Sequence, residues 1–123
     1  MLTLPDGSKN PRFGNDPKGV NIFTPDGHFT LIITRSDLPR ISSVNQAKPT
    51  PEEAQAIVSG SVAYFGTYTV DEATKTIHEH FEASTQVSQL DVPQPRVVTS
   101  ISADAMTYLA GGGNIEVVWK RAK

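Results

Sequence analysis

Apolar and polar residues alternate over several short stretches of this chain, and a period of two is typical of β-strands that present one face to a core. The clearest pair of stretches is Gly19–Thr24 and Gly27–Arg35, which meet at Pro25-Asp26-Gly27. Proline presets φ at the first corner of a turn, aspartate hydrogen-bonds to its own backbone, and glycine accepts a positive φ. The pattern therefore predicts a β-hairpin.

The second half of the chain repeats this alternation in shorter segments. Five further strands are predicted at Ser61–Val70, Lys75–Ala83, Arg96–Ser102, Ala105–Ala110 and Asn114–Arg121. The first two are joined by a predicted turn at Asp71–Thr74, and Gly111-Gly112-Gly113 fits a tight connection before the last strand. These glycines lack the spacing and the following helix of a nucleotide-binding loop. Successive short strands joined by turns predict a mainly β fold, an antiparallel up-and-down barrel.

One short helix has a full set of boundary signals. Thr50 is suited to the N-cap, Pro51 to the first helical position, and Glu53 completes a capping box. Gly60 supplies the C-terminal stop, so the helix is predicted over Pro51–Ser59. Its apolar stripe consists of Ala54, Ile57 and Val58. Because a helix this short is not stable alone, we expect the stripe to lie against the sheet.

The alternation also assigns strand faces. In Ser61–Val70, the polar positions Thr67 and Thr69 are expected to face solvent. The opposite, inward face then contains Tyr64, Gly66, Tyr68 and Val70. In the last strand, one face is formed by Ile115, Val117 and Trp119. A barrel of about eight strands just holds one small ligand if side chains do not fill its interior.

Composition narrows the class of protein. The 123 residues suit a single domain, 1–123, and a formal net charge of -2 with scattered Lys and Arg gives no case for nucleic acid. The absence of cysteine excludes disulfides, thiol catalysis and thiolate metal sites. No apolar run is long enough to span a membrane, and the first residues lack the pattern of a signal peptide. These features predict a cytoplasmic protein without a membrane partner.

Several motifs occur in an order that is similar to one known family. They are Asp16-Pro17-Lys18-Gly19, Ile22-Phe23-Thr24-Pro25-Asp26-Gly27, Thr50-Pro51-Glu52-Glu53-Ala54, Ala63-Tyr64-Phe65-Gly66-Thr67-Tyr68-Thr69-Val70-Asp71, Gln94-Pro95-Arg96 and Val118-Trp119-Lys120-Arg121. Over nearly its whole length the chain resembles the bacterial lipocalin-like domain family of small stand-alone barrels. The resemblance implies a lipocalin-like barrel with an apolar cavity, and it implies no single activity. Where members often show a His-His-Val-Glu strand, this chain has Glu79-His80-Phe81-Glu82.

A metal site is one hypothesis that the histidines raise. His78, His80 and Glu82 recur at every second residue of a predicted strand, so they share a face and form a plausible facial metal set. The His-x-His spacing also occurs in cupins, but their later carboxylate and preceding glycine motif are missing here. A solvated strand face, or one histidine hydrogen-bonded inside, explains the same residues. We therefore predict no specifically bound metal and no cofactor.

A ligand pocket is the leading functional hypothesis. Its predicted ligand-binding residues are Tyr64, Tyr68, His80, Arg96 and Trp119. Arg96 could pair with a ligand carboxylate or enolate, and His80 could transfer a proton near neutral pH. Alternatively, the tyrosines and the tryptophan fill the core, and Arg96 pairs with an acidic neighbour. The prediction is binding of a small hydrophobic or aromatic molecule in the barrel cavity.

Two other functions remain open from the sequence. One is an isomerase or cyclase of specialised metabolism that uses the same pocket, with His80 or Tyr68 as the proton donor. The other is a barrel with a filled interior that acts only through partners. The catalytic residues of such an enzyme are unknown from the sequence.

The start of the chain raises the question of assembly. The family's opening strand is of the Gly-Thr-Trp type, whereas only Met1–Leu4 precedes a predicted turn at Pro5-Asp6-Gly7. Three explanations are open: a truncated start, compensation by Met1–Leu4, or pairing between protomers. Since an uncovered strand edge is a template for another chain, we expect a homodimer in which the partner covers the gap near Trp119.

Overall fold

The computed structural model describes residues 2–3, 9–10, 13–14, 16–41, 48–113 and 115–122. In chain order the elements are β1 (Leu2–Thr3), β2 (Lys9–Asn10), β3 (Lys18–Phe23), β4 (His28–Thr34), α1 (Pro51–Ser59), β5 (Ser61–Asp71), β6 (Thr76–Ser84), β7 (Gln94–Ile101), β8 (Ala105–Ala110) and β9 (Ile115–Lys120). The strands form one sheet in the order β2-β1-β9-β8-β7-β6-β5-β4-β3, and neighbouring strands are antiparallel. The seven strands β3 to β9 curve into a nearly closed barrel, which confirms the predicted mainly β fold with one helix.

The predicted hairpin is present as β3 and β4. The two strands pair from Lys18 opposite Thr34 to Phe23 opposite Phe29. At the turn, the Gly27 N–H donates to the Thr24 carbonyl at 3.1 Å, and Gly27 has a φ of 91°. That φ lies in the region that glycine adopts without strain, which explains why the Pro-Asp-Gly motif sets the position of the turn.

Helix α1 has the predicted bounds because its capping box is formed. The Glu53 N–H donates to Thr50 Oγ1 at 3.2 Å, and the Thr50 N–H donates to Glu53 Oε1 at 2.7 Å. The predicted stripe is wrong at Val58, which is 71% exposed, while Ala54 and Ile57 are half-buried. Adjacent helical positions diverge by about 100°, so Val58 is exposed beside the half-buried Ile57. The helix contacts β5, but none of its residues is fully buried. No described helix is long and apolar enough to cross a membrane.

The faces of β5 follow the prediction except at its end. Tyr64 and Gly66 are buried, Tyr68 is half-buried, and Thr69 is exposed, whereas Thr67, expected to face solvent, is half-buried like Tyr68. Val70, expected inside, is 56% exposed. Strand β4 pairs with β5 only as far as Thr67, so Val70 lies beyond the end of β4 and only β6 flanks it. The prediction for Val70 is therefore wrong because alternation does not show where a neighbouring strand stops.

A β-bulge brings the backbone of β6 close to Gly66. Phe65 lies opposite Ala83 and Gly66 lies opposite Phe81, so Glu82 is the extra residue on β6. A Cβ atom on Gly66 would overlap the carbonyl oxygen of His80. Glycine is therefore required here for a close backbone approach, as is common where a strand is bulged.

Among the described residues, the barrel has one open seam, which lies between β3 and β9. Strand β1 pairs with β9 at Thr3 opposite Glu116, and its other side pairs with β2. Within the part of the chain that the structure describes, the outer edges of β3 and of Val117–Lys120 have no strand partner. The predicted turn at Pro5-Asp6-Gly7 lies outside the described residues, as does Asn114. Pairing by β1 is thus one of the three outcomes that the sequence left open, and among the described residues it reaches β9 at Glu116.

We expect Gly66→Ala to lower the free energy of unfolding by about 2–4 kcal/mol, because the added methyl group must displace the β6 backbone. Thr69→Ala is the control, since Thr69 lies on the same strand with its side chain exposed, and it should cost less than about 1 kcal/mol. Urea unfolding measures both variants. Equal losses would contradict the close approach at Gly66.

The homodimer stays a prediction, and the open seam gives it a test. Light scattering at micromolar concentration should give a dimer mass, and Val20→Lys should shift the protein toward monomer by placing a charge on the β3 edge. Val97→Lys is the matched control, because Val97 is also exposed but lies on β7, between two paired strands. A monomer mass for the unmodified chain would contradict the dimer.

Candidate functional site

A cavity of about 500 Å³ opens at one end of the barrel. The cavity is formed by the ends of the strands that lie near the 85–93 connection and the 111–113 turn. Its apolar wall consists of Phe13, Leu31, Ile33, Val62 and Val117, its polar side chains include Tyr64, Arg96 and Tyr108, and its rim includes 85–89, Gln94, Ala110 and Ile115. The volume lies within the range of sites that hold small organic molecules. Half of the lining residues are polar, so the cavity combines an apolar wall with a polar inner end and a polar rim.

Arg96 is the charged group at the inner end of the cavity. The β7 register places it opposite Ile77, with its side chain inside the barrel and only 5% of the residue exposed. Its Nε donates to Glu79 Oε1 at 3.2 Å, and its Nη1 donates to Gln94 Oε1 at 3.4 Å. Gln94 in turn donates to Gln89 Oε1 at 2.9 Å. A chain of hydrogen bonds thus connects the buried guanidinium to the rim of the cavity.

Glu79 is the acidic partner of Arg96, and it is not among the site residues predicted from the sequence. The residue is 4% exposed, Oε1 accepts the bond from Arg96, and Oε2 has no hydrogen-bond partner among the described residues. Burial raises the pKa of Glu79 to about 7, although Arg96 offsets part of the effect. The signal was present in the sequence, because Ile77, Glu79 and Phe81 share the apolar face of β6.

Two tyrosines complete the polar end of the cavity. The Tyr64 ring stacks on Phe81 with centroids 4.0 Å apart, and burial raises the pKa of Tyr64 to about 12. The Tyr108 hydroxyl accepts the Trp119 indole N–H at 2.9 Å, and burial also raises the pKa of Tyr108. Both phenols are therefore neutral at physiological pH and able to donate a hydrogen bond to a ligand.

The structure brings together two of the five predicted ligand-binding residues. Tyr64 and Arg96 line the cavity. Trp119 borders the grooves on the seam side and is joined to the cavity through Tyr108. Tyr68 lies toward the hairpin turn, where its hydroxyl donates to the Thr24 carbonyl at 2.6 Å. His80 is exposed on the outer face of β6, because the inward positions of that strand are Ile77, Glu79 and Phe81.

The alternative explanation for Arg96 is also present, since it pairs with an acidic neighbour. That pairing does not remove Arg96 from the cavity, because its side chain is both bonded to Glu79 and part of the cavity wall. Arg96 therefore has a structural partner and a face available to a ligand. Whether any of the five residues binds a ligand stays a prediction.

The structure does not bring His78, His80 and Glu82 together as a metal site. His78, His80 and Glu82 are exposed on the outer face of β6. Among the described residues, no group of three His, Cys, Asp or Glu side chains is arranged to hold a metal ion. The solvated strand face considered from the sequence is the arrangement that the structure shows for these three residues.

Comparison with known proteins gives one match. A family model described as a lipocalin-like domain matches residues 2–121, nearly the whole chain. No significant match was found among curated proteins or among solved structures. The family match agrees with the barrel and with the resemblance seen in the sequence motifs.

We expect the free energy of unfolding to fall by about 3 kcal/mol between pH 4.5 and about 7 through Glu79 alone. The ordinary pKa of this carboxyl is 4.5 and the folded value is about 7, so in that window the native state keeps a proton that the unfolded chain has lost. Stability then falls as the pH rises and levels off above 7. Urea unfolding across this range should show the decline in the unmodified protein but not in Glu79→Gln. Parallel profiles for the two proteins would contradict the raised pKa.

Proposed function

Because the chain belongs to the lipocalin-like domain family, we propose that it binds a small hydrophobic or aromatic molecule in the barrel cavity. The cavity supports this proposal by its volume of about 500 Å³ and by a wall that includes Phe13, Leu31 and Val117. A completely filled barrel, the alternative in which the protein acts only through partners, disagrees with a cavity of this size. We expect the protein to act in the cytoplasm without a metal or cofactor.

The observation that carries the proposal is the buried guanidinium of Arg96 at the inner end of a chamber that has an apolar wall and a polar rim. Tyr64 and Tyr108 present neutral phenols to the same space. Three such donors favour a ligand whose acceptor group points inward and whose apolar body extends toward the rim. The apolar wall would then supply most of the affinity, and the donors would set the orientation.

The second candidate is an isomerase or cyclase that uses the same pocket. The observation that favours it is the position of two neutral phenols beside a guanidinium, since such a set can polarise a carbonyl group and supply a proton. Tyr68 and His80 do not line the cavity, so the proton donor in this hypothesis would be Tyr64 or Tyr108. The binding function needs fewer assumptions and is the conclusion that we favour.

Binding is testable with N-phenyl-1-naphthylamine, a neutral aromatic probe that fluoresces in apolar surroundings. We expect saturable binding of one probe per chain. Ala110→Trp should weaken the probe's affinity at least about tenfold, which is about 1.4 kcal/mol, because Ala110 lies on the rim of the cavity. Leu109→Trp is the matched control, since the neighbouring residue on β8 points to the opposite face. Absence of saturation, or an equal loss in both variants, would contradict binding in this cavity.

A further inference from the structure

We propose that the ligand is an organic acid that binds as its anion against Arg96, and that binding is coupled to the uptake of one proton by Glu79. This inference rests on the proposed function, because it specifies the ligand class and the regulation of the same cavity. It assigns a role to the buried Glu79 side chain, which the binding of a neutral apolar molecule would not need. Glu79 would act through Arg96 and not by contact with the ligand.

The geometry places one cation between two positions for an anion. Arg96 borders the cavity, whereas Glu79 does not and reaches the cavity only through its bond to the guanidinium. Side-chain exposures of 7% for Arg96 and 1% for Glu79 show that both charges are removed from bulk water. The Arg96 guanidinium also lies over the Phe81 ring, 5.9 Å from its centroid, so its surroundings are apolar on that side.

Charge balance then couples the ligand to a proton. With the cavity empty and the pH above about 7, ionised Glu79 and Arg96 form a neutral pair. An anion on the cavity side adds a second negative charge to a single buried cation, and excess buried charge is costly. Protonation of Glu79 restores neutrality, because a nearby like charge favours the uncharged form of a carboxyl group. Oε2 can take the proton without loss of the Arg96 bond to Oε1, since Oε2 has no partner among the described residues.

Glu79, and not one of the groups around it, is the side chain that takes up this proton. From β5, Tyr64 interacts electrostatically with Glu79, and Tyr68 lies opposite it in the strand register and donates its hydroxyl to the Thr24 carbonyl. Arg96 approaches from β7 and Tyr108 from β8. The raised pKa values of Tyr64 and Tyr108 keep both phenols neutral near pH 7, whereas the pKa of Glu79 is about 7. His78 and His80 lie on the outer face of β6.

The test compares two probes that share one ring system. 1-Anilinonaphthalene-8-sulfonate carries a sulfonate that is ionised at every pH used, and N-phenyl-1-naphthylamine lacks it. We expect the affinity for the sulfonate probe to fall between pH 7 and pH 9, by up to about tenfold per pH unit. The affinity for the neutral probe should stay constant. Calorimetry at pH 8 in two buffers of different ionisation enthalpy should show uptake of about one proton per sulfonate probe bound.

Variants assign the proton to its site. Glu79→Gln should abolish the proton uptake and flatten the pH profile of the sulfonate probe. His78→Gln should leave both unchanged, because the His78 side chain is exposed on the outer face of β6. Arg96→Met should lower the affinity for the sulfonate probe at pH 7 more than the affinity for the neutral probe. If Glu79→Gln does not fold, the proton count on the unmodified protein decides the matter.

The outcomes separate this inference from the proposed function. Binding of the neutral probe with no proton uptake by the sulfonate probe overturns the inference and leaves the cavity function standing. Failure of the sulfonate probe to bind while the neutral probe binds has the same meaning. Failure of both probes to bind contradicts the proposed function itself. Proton uptake that persists in Glu79→Gln excludes Glu79 as the acceptor and overturns the inference.

Discussion

The buried pair of Arg96 and Glu79 is the interaction on which the interior of this barrel depends. Moving two charges out of water is costly, and a buried ion pair often contributes no more stability than apolar residues of the same volume. The 3.2 Å bond between Arg96 and Glu79 joins β6 to β7 inside the barrel, while the hydrogen bonds of Gln94 continue from it to the rim. The pair therefore gives the cavity a polar inner end, at a place that apolar side chains would otherwise occupy.

The aromatic residues on the other side of this pair divide the barrel into a packed end and an open end. Phe23 and Tyr68 meet edge to face at 5.0 Å, and Phe29 and Phe81 have centroids 6.0 Å apart. Such contacts add to the area that the rings bury. Tyr64 stands at the boundary, because it stacks on Phe81 and also borders the cavity. This division explains why two tyrosines on the same face of β5 have different roles.

Local signals in the sequence predicted the elements but not the membership of the site. The capping box set the bounds of α1, and the Pro-Asp-Gly turn set the hairpin, because both depend on residues within a few positions of each other. His80 is a candidate site residue because of its chemistry alone. The alternating apolar residues Ile77 and Phe81 indicate instead that Glu79, which shares their face, is the inward residue. The sequence does not single out Tyr108, because Ala105–Ala110 has apolar residues at both alternating sets of positions and so does not indicate which face is inward. The strand register decides which side chains meet across a barrel, and the periodicity within one strand does not reveal that register.

The open seam follows from the number of strands. Seven strands that alternate in direction leave β3 and β9 running the same way, so they cannot close the barrel as an antiparallel pair. One strand antiparallel to both would complete an eight-stranded barrel, and β1 has that direction relative to β9. Trp119 borders the grooves beside this seam and donates its indole N–H to Tyr108, which lines the cavity. Trp119 thus links the seam to the polar end of the cavity through one hydrogen bond, so closure of the barrel and the geometry of the cavity share a residue.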